Sequence, residues 1–274
     1  MPELPEVQTV VNHIKDDLVG EKIKSIIPLW AKVLHNFTPN DFVQKLERQI
    51  VVDVYRRAKF IVIQFNTGII AIHLRMTGKL YFLSKNNYSK HCTAYIEFES
   101  GKILIFEDVR KFGRFYLYED LDPINDRHGP EPLDDTFTVQ KFQKMLFSRK
   151  RNIKSILLDQ SFLSGLGNIY VDESLWKSKI HPNSISNSIP KKRIEMLFHN
   201  IRKTLRDAID NKGTTIIDFS VNGESGKYTN ELKVFGRTGQ ECFHCSQMIK
   251  KSKVAGRGTY TCNKCQKKYY KTKK

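Results

Sequence analysis

Several features of other protein classes are missing from this 274-residue chain. No apolar run is long enough to cross a membrane, and the N-terminus lacks the basic and then apolar pattern of a secretion signal. There is no internal repeat, and acidic residues are scarce, with 29 Asp and Glu against 46 Lys and Arg. We therefore expect a soluble intracellular protein of the cytoplasm, with no membrane partner.

The charge imbalance points to the kind of partner. The formal net charge is +17 and the sequence pI is about 9.6. Such an excess of positive charge favours a polyanion, and a nucleic acid before a membrane surface. The length is sufficient for two ordinary domains, each with its own core.

Cysteine is also rare, but its spacing is informative. Four of the five cysteines form two C-x-x-C pairs, Cys242 with Cys245 and Cys262 with Cys265, and sixteen residues separate the pairs. In a protein without a secretion signal this spacing predicts a zinc site rather than disulfides. One structural Zn²⁺ would stabilise a hairpin too small to fold on its own core. Cys92 stands alone and is most simply a buried apolar residue.

The hydrophobic pattern predicts an α+β protein. Apolar residues at helical spacing follow Pro5, which suits the first turn of a helix, and residues from about 22 to 118 have the β-branched and alternating pattern of an antiparallel sandwich or flattened barrel. The predicted domains are a β-sandwich domain at 1–120, an acidic, proline-rich linker at 121–135, a helical domain at 136–230, and a zinc finger with a basic tail at 231–274.

The helical domain has its own predicted elements. Helices are expected around Val139 to Leu146, from about Asn152 to Leu158, from near Gly167 to before His181, and from Pro190 to Gly213. The glycine-bearing stretch 214–230 has no sustained period and is expected to be a mobile loop.

Six motifs occur in a fixed order along the chain. It begins with PELPE, continues with HLRMTGKL, DVRKFGR, GLGNIYVDE and ELKVFGRTG, and ends in a four-cysteine hairpin that contains VAGRGTYTC. Together they resemble the formamidopyrimidine-DNA glycosylase family (Fpg, or MutM), whose sister branch is endonuclease VIII (Nei). The resemblance implies a helix-two-turn-helix in the helical domain and a DNA repair enzyme that is both an N-glycosylase and an abasic-site lyase.

The resemblance also gives the first residues a chemical role. Once Met1 is removed, Pro2 carries a secondary amine that attacks C1′ of the damaged nucleotide, forms a Schiff base and leads to β,δ-elimination. Its reference pKa is near ~8, so a useful fraction of the amine is neutral. Glu3 corresponds to the family's general acid/base and Glu6 to a carboxylate that orients the site. Gln8 replaces the usual Glu of the family and is left out of the catalytic residues.

Other matched positions concern DNA. Lys59 matches a phosphate-clamping position and is grouped with the catalytic residues. The residues of the family that enter the DNA when the base is flipped out correspond to Met76, Arg110 and Phe112. Without the resemblance, Met76 and Phe112 would be read as core residues and Arg110 as a surface charge. The remaining predicted DNA-binding residues are His73, Lys154, Asn168 and Arg257.

These matches predict a monomeric enzyme that acts on damaged double-stranded DNA. Its expected substrates are the oxidised purines 8-oxoguanine and formamidopyrimidines, preferentially opposite cytosine. PELPE in place of PEGPE favours Fpg over a Nei-like enzyme for oxidised pyrimidines. A non-catalytic binder of damaged DNA would need Met1 to be retained or the carboxylates to be miswired, and the sequence shows neither. A zinc-ribbon regulator would leave Pro2, Glu3 and the insertion residues unexplained. Phe235 stands where the family usually has Tyr, which removes one hydroxyl contact.

Overall fold

The structure is a computed structural model that describes residues 1–83, 88–214, 220–221 and 224–270. Its contacts divide the chain into two compact units, Met1–Asp126 with Asn211–Lys227, and Arg127–Asp210 with Tyr228–Lys274. The first break lies inside the predicted linker 121–135. The described residues between 211 and 227, predicted as part of the helical domain, belong to the first unit.

Seven α-helices and twelve strands are present in the described part of the chain. The helices α1 to α7 are Leu4–Leu18, Pro39–Leu46, Asp122–Asn125, Val139–Phe147, Ile153–Leu157, Asn168–Lys177 and Lys191–Asp210. The strands β1 to β12 are Ile23–Pro28, Asp53–Arg57, Phe60–Phe65, Gly68–His73, Gly78–Phe82, Cys92–Phe98, Ile103–Asp108, Arg114–Tyr118, Ser220–Val221, Glu224–Ser225, Lys250–Val254 and Arg257–Thr261.

The first unit is built on two four-stranded antiparallel sheets, ordered β1-β6-β7-β5 and β2-β3-β4-β8. Their inner faces form one core with the apolar stripe of α1, which includes Val7, Val11, Ile14 and Leu18. All four side chains are almost fully buried, each contributing on the order of 1.5–3 kcal/mol of burial free energy. The predicted N-terminal helix and antiparallel sandwich are confirmed.

One prediction in this unit is wrong. The stretch from 22 to 118 was expected to contain only strands, but α2 interrupts it. The helix starts at a capping box, because Thr38 accepts a hydrogen bond from the Asp41 backbone and the Asp41 carboxylate accepts one from Thr38. Phe42 and Leu46, four residues apart, turn the buried face of this helix towards the core. Residues T-P-N-D carry the capping signal in the sequence.

The second unit contains the predicted helices. Helix α7 buries Ile194, Leu197, Ile201 and Leu205 along one face and packs against α6 and α4. Strands β11 and β12 form an antiparallel hairpin that packs on α6. The helical part and the C-terminal four-cysteine hairpin of the predicted fold are therefore both present.

Two further predictions concern loops and membranes. Within the predicted mobile loop 214–230, residues 215–219 and 222–223 lie outside the described residues, while β9 pairs with β10. No helix in the described ranges combines the length and the apolar composition needed to span a membrane.

Candidate functional site

The start of the chain is held in place by a buried carboxylate. Pro2, Glu3 and Glu6 are buried, whereas Met1 remains exposed. The backbone N–H of Glu3 donates to Oε2 of Glu6 at 2.8 Å, and the N–H of Thr214 donates to its Oε1 at 2.8 Å. Because each oxygen accepts from the backbone, Glu6 fixes the N-terminal residues and residue 214 at the same point.

This arrangement requires glycine at position 213. Gly213 has φ of +76°, and a Cβ there would lie 2.9 Å from Oε1 of Glu6. A side chain would therefore be strained and would push against the carboxylate. The sequence marks Gly213 only as the glycine that stops the predicted fourth helix of the helical domain, so its contact with Glu6 could not be predicted without the tertiary structure.

Lys59 and His73 lie at the same end of the sheet formed by β2, β3, β4 and β8. Lys59 follows Ala58, whose φ of +54° forms the tight turn between β2 and β3, and Phe60 pairs with His73 at the end of β4. Nδ1 of His73 accepts a hydrogen bond from the Arg75 backbone at 3.0 Å. Both predicted side chains are largely buried, so their orientation is restricted.

The three predicted insertion residues form one exposed cluster. Met76 is 42 % exposed and Phe112 is 47 % exposed. Nη1 of Arg110 lies 2.9 Å from the sulfur of Met76, and the guanidinium stacks over the Phe112 ring at 4.7 Å. The alternative that Met76 and Phe112 belong to the core is wrong, because both lie at the surface.

Asp108, which the sequence analysis did not identify, holds both insertion loops. Its buried Oδ1 accepts hydrogen bonds from the Thr77 hydroxyl at 2.5 Å and the Arg110 backbone at 3.2 Å. Its Oδ2 accepts from the Gly113 backbone at 2.7 Å. One carboxylate therefore fixes the loops that carry Met76 and Phe112. Its position between a strand and the RKFG turn is the only sequence signal for this role.

In the second unit, the hairpin turn packs against the N-terminus of α6. Ala255 and Gly256 both have positive φ, as a two-residue hairpin turn requires, and the exposed Arg257 follows them. Nδ2 of Asn168, the first residue of α6, donates to the Gly258 carbonyl at 2.9 Å. Asn168 thus contacts the residue that follows Arg257, the other predicted phosphate-binding residue of this unit.

Lys154 has a more buried position than its predicted contact with DNA suggests. Its ammonium forms an ion pair of 2.6 Å with Asp172 inside the unit and donates to the Gly258 carbonyl at 3.3 Å. The other oxygen of Asp172 accepts from the Tyr260 backbone at 3.0 Å. Burial raises the pKa of Asp172 to about 6, against the opposing effect of Lys154. The pair joins α5 and α6 to the hairpin.

Glu173 is a second carboxylate that the sequence analysis missed. It is fully buried and accepts backbone hydrogen bonds of 2.9–3.0 Å from Lys233, Val234 and Phe235. The Phe235 ring contacts Tyr260 at 4.8 Å between centroids. Adjacent residues of the GLGNIYVDE motif therefore hold strand β12 of the hairpin, through Asp172, and the segment 233–235, through Glu173.

The four paired cysteines come together as predicted. All four sulfurs lie within 4.8 Å of one another, and the distances are 3.9 Å for Cys242–Cys265 and 3.4 Å for both Cys245–Cys262 and Cys245–Cys265. A tetrahedral site with Zn–S bonds of ~2.3 Å has sulfurs about 3.8 Å apart. Burial raises the pKa of Cys262 and Cys265, a cost of ionisation that a divalent cation would offset. The cluster therefore fits a metal ion.

Comparison with known proteins places these features in one family. Residues 1–115 match the model of the formamidopyrimidine-DNA glycosylase N-terminal domain, and residues 128–220 match the model of its H2TH domain. A formamidopyrimidine-DNA glycosylase of Protochlamydia amoebophila is 43% identical over 98% of this chain and all of its own length, and one of Lactobacillus johnsonii is 41% identical over the same shares.

Solved structures show the same relationship. A Lactococcus lactis FPG mutant in complex with Fapy-dG DNA superposes with a TM-score of 0.90 at 36% identity, covering 97% of this chain and 100% of that one. MutM in complex with carbocyclic 8-oxo-G DNA gives 0.89 at 37% identity with the same coverage. The chain belongs to the formamidopyrimidine-DNA glycosylase family, as its motifs predict.

Proposed function

We propose that the protein is a bifunctional DNA repair enzyme that excises oxidised purines from duplex DNA and then cuts the strand at the abasic site. The observation that carries this proposal is the N-terminus, where Pro2 and Glu3 are buried beside Glu6, whose carboxylate is fixed by two backbone N–H groups. Family membership supports a catalytic role for these N-terminal residues, because the relatives are glycosylases and the solved complexes of the family contain damaged DNA.

The chemistry follows from a free amine on Pro2. Its nitrogen attacks C1′, the bond from C1′ to the base breaks, and the electron pair leaves with the base, which takes up a proton. The nitrogen loses its proton and the ring oxygen takes one up, so the sugar ring opens and leaves an iminium between Pro2 and C1′. Loss of a proton from C2′ sends electrons towards this cation, and the 3′ phosphate departs from C3′. Loss of a proton from C4′ in a second elimination then releases the 5′ phosphate.

Neighbouring side chains have supporting roles in this proposal. Glu3 transfers protons to the sugar ring oxygen and during elimination, and Glu6 keeps the N-terminal residues in position. Lys59 and His73 bind phosphates beside the reacting nucleotide. Met76, Arg110 and Phe112 enter the space that the flipped nucleotide leaves, since all three are exposed and Arg110 contacts the other two.

The second unit supplies further phosphate contacts. Asn168 and Arg257 lie where the hairpin turn meets α6, and both carry N–H donors. Lys154 contributes from inside the unit, because it holds the Gly258 carbonyl next to Arg257. The enzyme would act as a monomer at the nucleoid, where its substrate is.

The metal in this proposal is one structural Zn²⁺ bound by Cys242, Cys245, Cys262 and Cys265. The donor set is four thiolates, which zinc prefers in closed structural sites, and the sulfur distances suit a tetrahedron. When bound, the ion supplies a rigid cross-link and no catalysis. The hairpin residues keep Arg257 oriented towards the phosphates.

We expect Cys245→Ser to lose zinc and to weaken binding of lesion-containing duplex DNA, because the hairpin would no longer hold Arg257. Cys92→Ser is the matched control, since Cys92 belongs to the other unit and lies outside the cluster. Metal content by atomic absorption and DNA affinity by fluorescence anisotropy check both variants. Unchanged DNA affinity in zinc-free Cys245→Ser would contradict the structural role of the metal.

The substrate assignment is tested by excision rates on duplexes that carry 8-oxoguanine, formamidopyrimidine or an oxidised pyrimidine. We expect the two purine lesions to be preferred, with cytosine favoured opposite the lesion. Arg110→Ala should relax this opposite-base preference, because a good base contact provides about 1–3 kcal/mol of discrimination. Lys111→Ala removes a charge from the same loop and should lower binding evenly for all four bases. Faster removal of oxidised pyrimidines would instead support a Nei-like activity.

A further inference from the structure

Six exposed cations of the second unit are not among the residues of the proposed active site. We call them the basic patch; its members are Arg149, Lys150, Arg151, Lys179, Lys267 and Lys268. They come from three separate parts of the second unit: the loop after α4, the turn after α6, and the tail that follows the last cysteine.

Backbone hydrogen bonds bring these parts together around residues 181–186. The Lys267 carbonyl accepts from the His181 N–H at 2.9 Å, and its own N–H donates to the Lys179 carbonyl at 3.0 Å. On the other side, Ser186 donates its N–H to the Arg151 carbonyl at 3.0 Å and its hydroxyl to the Arg149 carbonyl at 2.6 Å. The described part of the tail and the loop after α4 are therefore both held against residues 181–186 by hydrogen bonds.

The positive charges of the patch are poorly compensated. Among the described residues, only Arg151 has a carboxylate within ion-pair distance, Asp159 at 3.7 Å. A depression of about 440 Å³ lies at the junction of loop and tail, lined by Asn152, Asn183, Ile185, Lys268 and Tyr270. Of the patch residues, Lys268 alone lines this depression. An exposed surface with this excess of cations suits a polyanion whose charges are regularly spaced.

The loop of the patch is joined through α5 to the proposed phosphate-binding residues. This loop leads directly into α5, where Lys154 donates to the Gly258 carbonyl beside Arg257. The side chain of Asn168 donates to the same carbonyl. One helix therefore separates the basic patch from the point where the DNA backbone is expected to pass.

We propose that the basic patch binds phosphates of duplex DNA outside the damaged nucleotide and adds affinity that does not depend on the lesion. The identity of the polyanion rests on the proposed function, because the nearest predicted contacts are with DNA. Such a surface would hold the enzyme on undamaged DNA while it searches, and it would leave the chemistry at Pro2 unchanged.

The test compares the intact protein with Lys267→Ala/Lys268→Ala on an undamaged 30-bp duplex over a range of salt. Each lost phosphate contact lowers the slope of log K against log salt by about 0.9, so the double variant should lose about 1.8. Raising salt from 50 to 200 mM should then weaken the intact protein about 12-fold more than the variant. Lys24→Ala/Lys45→Ala, which removes two exposed charges from the other unit, should lose much less of the slope.

Three further readouts separate the possible outcomes. Zinc content, thermal midpoint and single-turnover cleavage of a saturated lesion duplex should be the same for the double variant and the intact protein. An unchanged salt slope of the double variant on undamaged DNA overturns the proposal. If that variant also cleaves the lesion duplex normally, the proposed function is unaffected by this result. Weaker binding of oligoglutamate with an unchanged DNA slope would reassign the patch to an acidic protein and would equally overturn it.

Discussion

Protein that retains Met1, or carries an uncleaved N-terminal extension, is expected to lose both base excision and strand cleavage by at least about 10³-fold. The attacking nitrogen of Pro2 would be an amide in that protein, and an amide nitrogen is not a nucleophile; loss of a covalent nucleophile commonly costs this much or more. Excision rates on an 8-oxoguanine duplex, measured before and after the extension is removed to expose Pro2, check the prediction.

Two variants distinguish the amine from the structure around it. Pro2→Gly should keep part of the activity, because glycine still offers an amine. Pro5→Ala should keep nearly all of it, since Pro5 lies in the first turn of α1 and has no amine to lose. Full activity in the protein that retains Met1 would show that another group attacks the sugar.

Phe112→Ala should leave the fold almost as stable as before but should sharply reduce excision from duplex DNA. The ring is 47 % exposed, so its removal should change the free energy of unfolding by about 0.5 kcal/mol or less. Phe106→Ala is the matched control from β7, because Phe106 is fully buried and its loss should cost roughly 3–5 kcal/mol.

Chemical denaturation and single-turnover excision together check this pair. A large loss of stability in Phe112→Ala, with unchanged excision, would contradict this prediction and would show that Phe112 stabilises the fold. A stable variant with slow excision would support the insertion of its ring into the DNA, where nothing else would fill the space that the flipped nucleotide leaves.

Features with a strong local signal could be predicted from the sequence. The metal cluster follows from the spacing of Cys242, Cys245, Cys262 and Cys265, because thiol pairs at that spacing have few other uses. The long α7 follows from a single unbroken apolar stripe, and α1 from the stripe after Pro5. Helix α2 was missed although its T-P-N-D start is a capping signal, because strand-like residues surround it on both sides.

The buried carboxylates could not be predicted in the same way. Asp172 and Glu173 accept backbone hydrogen bonds from residues that are distant in sequence, and Asp108 accepts a hydrogen bond from the distant Thr77 hydroxyl. An acidic residue in a motif does not reveal whether it is buried. The burial of Lys154 could not be predicted either. A lysine is usually exposed, but the partner that allows its burial, Asp172, is eighteen residues away.

The most direct test of the account is to trap the reaction intermediate with borohydride on an 8-oxoguanine duplex and to map the adduct by mass spectrometry. Reduction of the iminium fixes the DNA to the attacking nitrogen. We predict one adduct, on an N-terminal peptide that begins with Pro2 and lacks Met1. An adduct on Lys59 or another lysine, or efficient excision from protein whose N-terminal amine is blocked, would contradict the central claim.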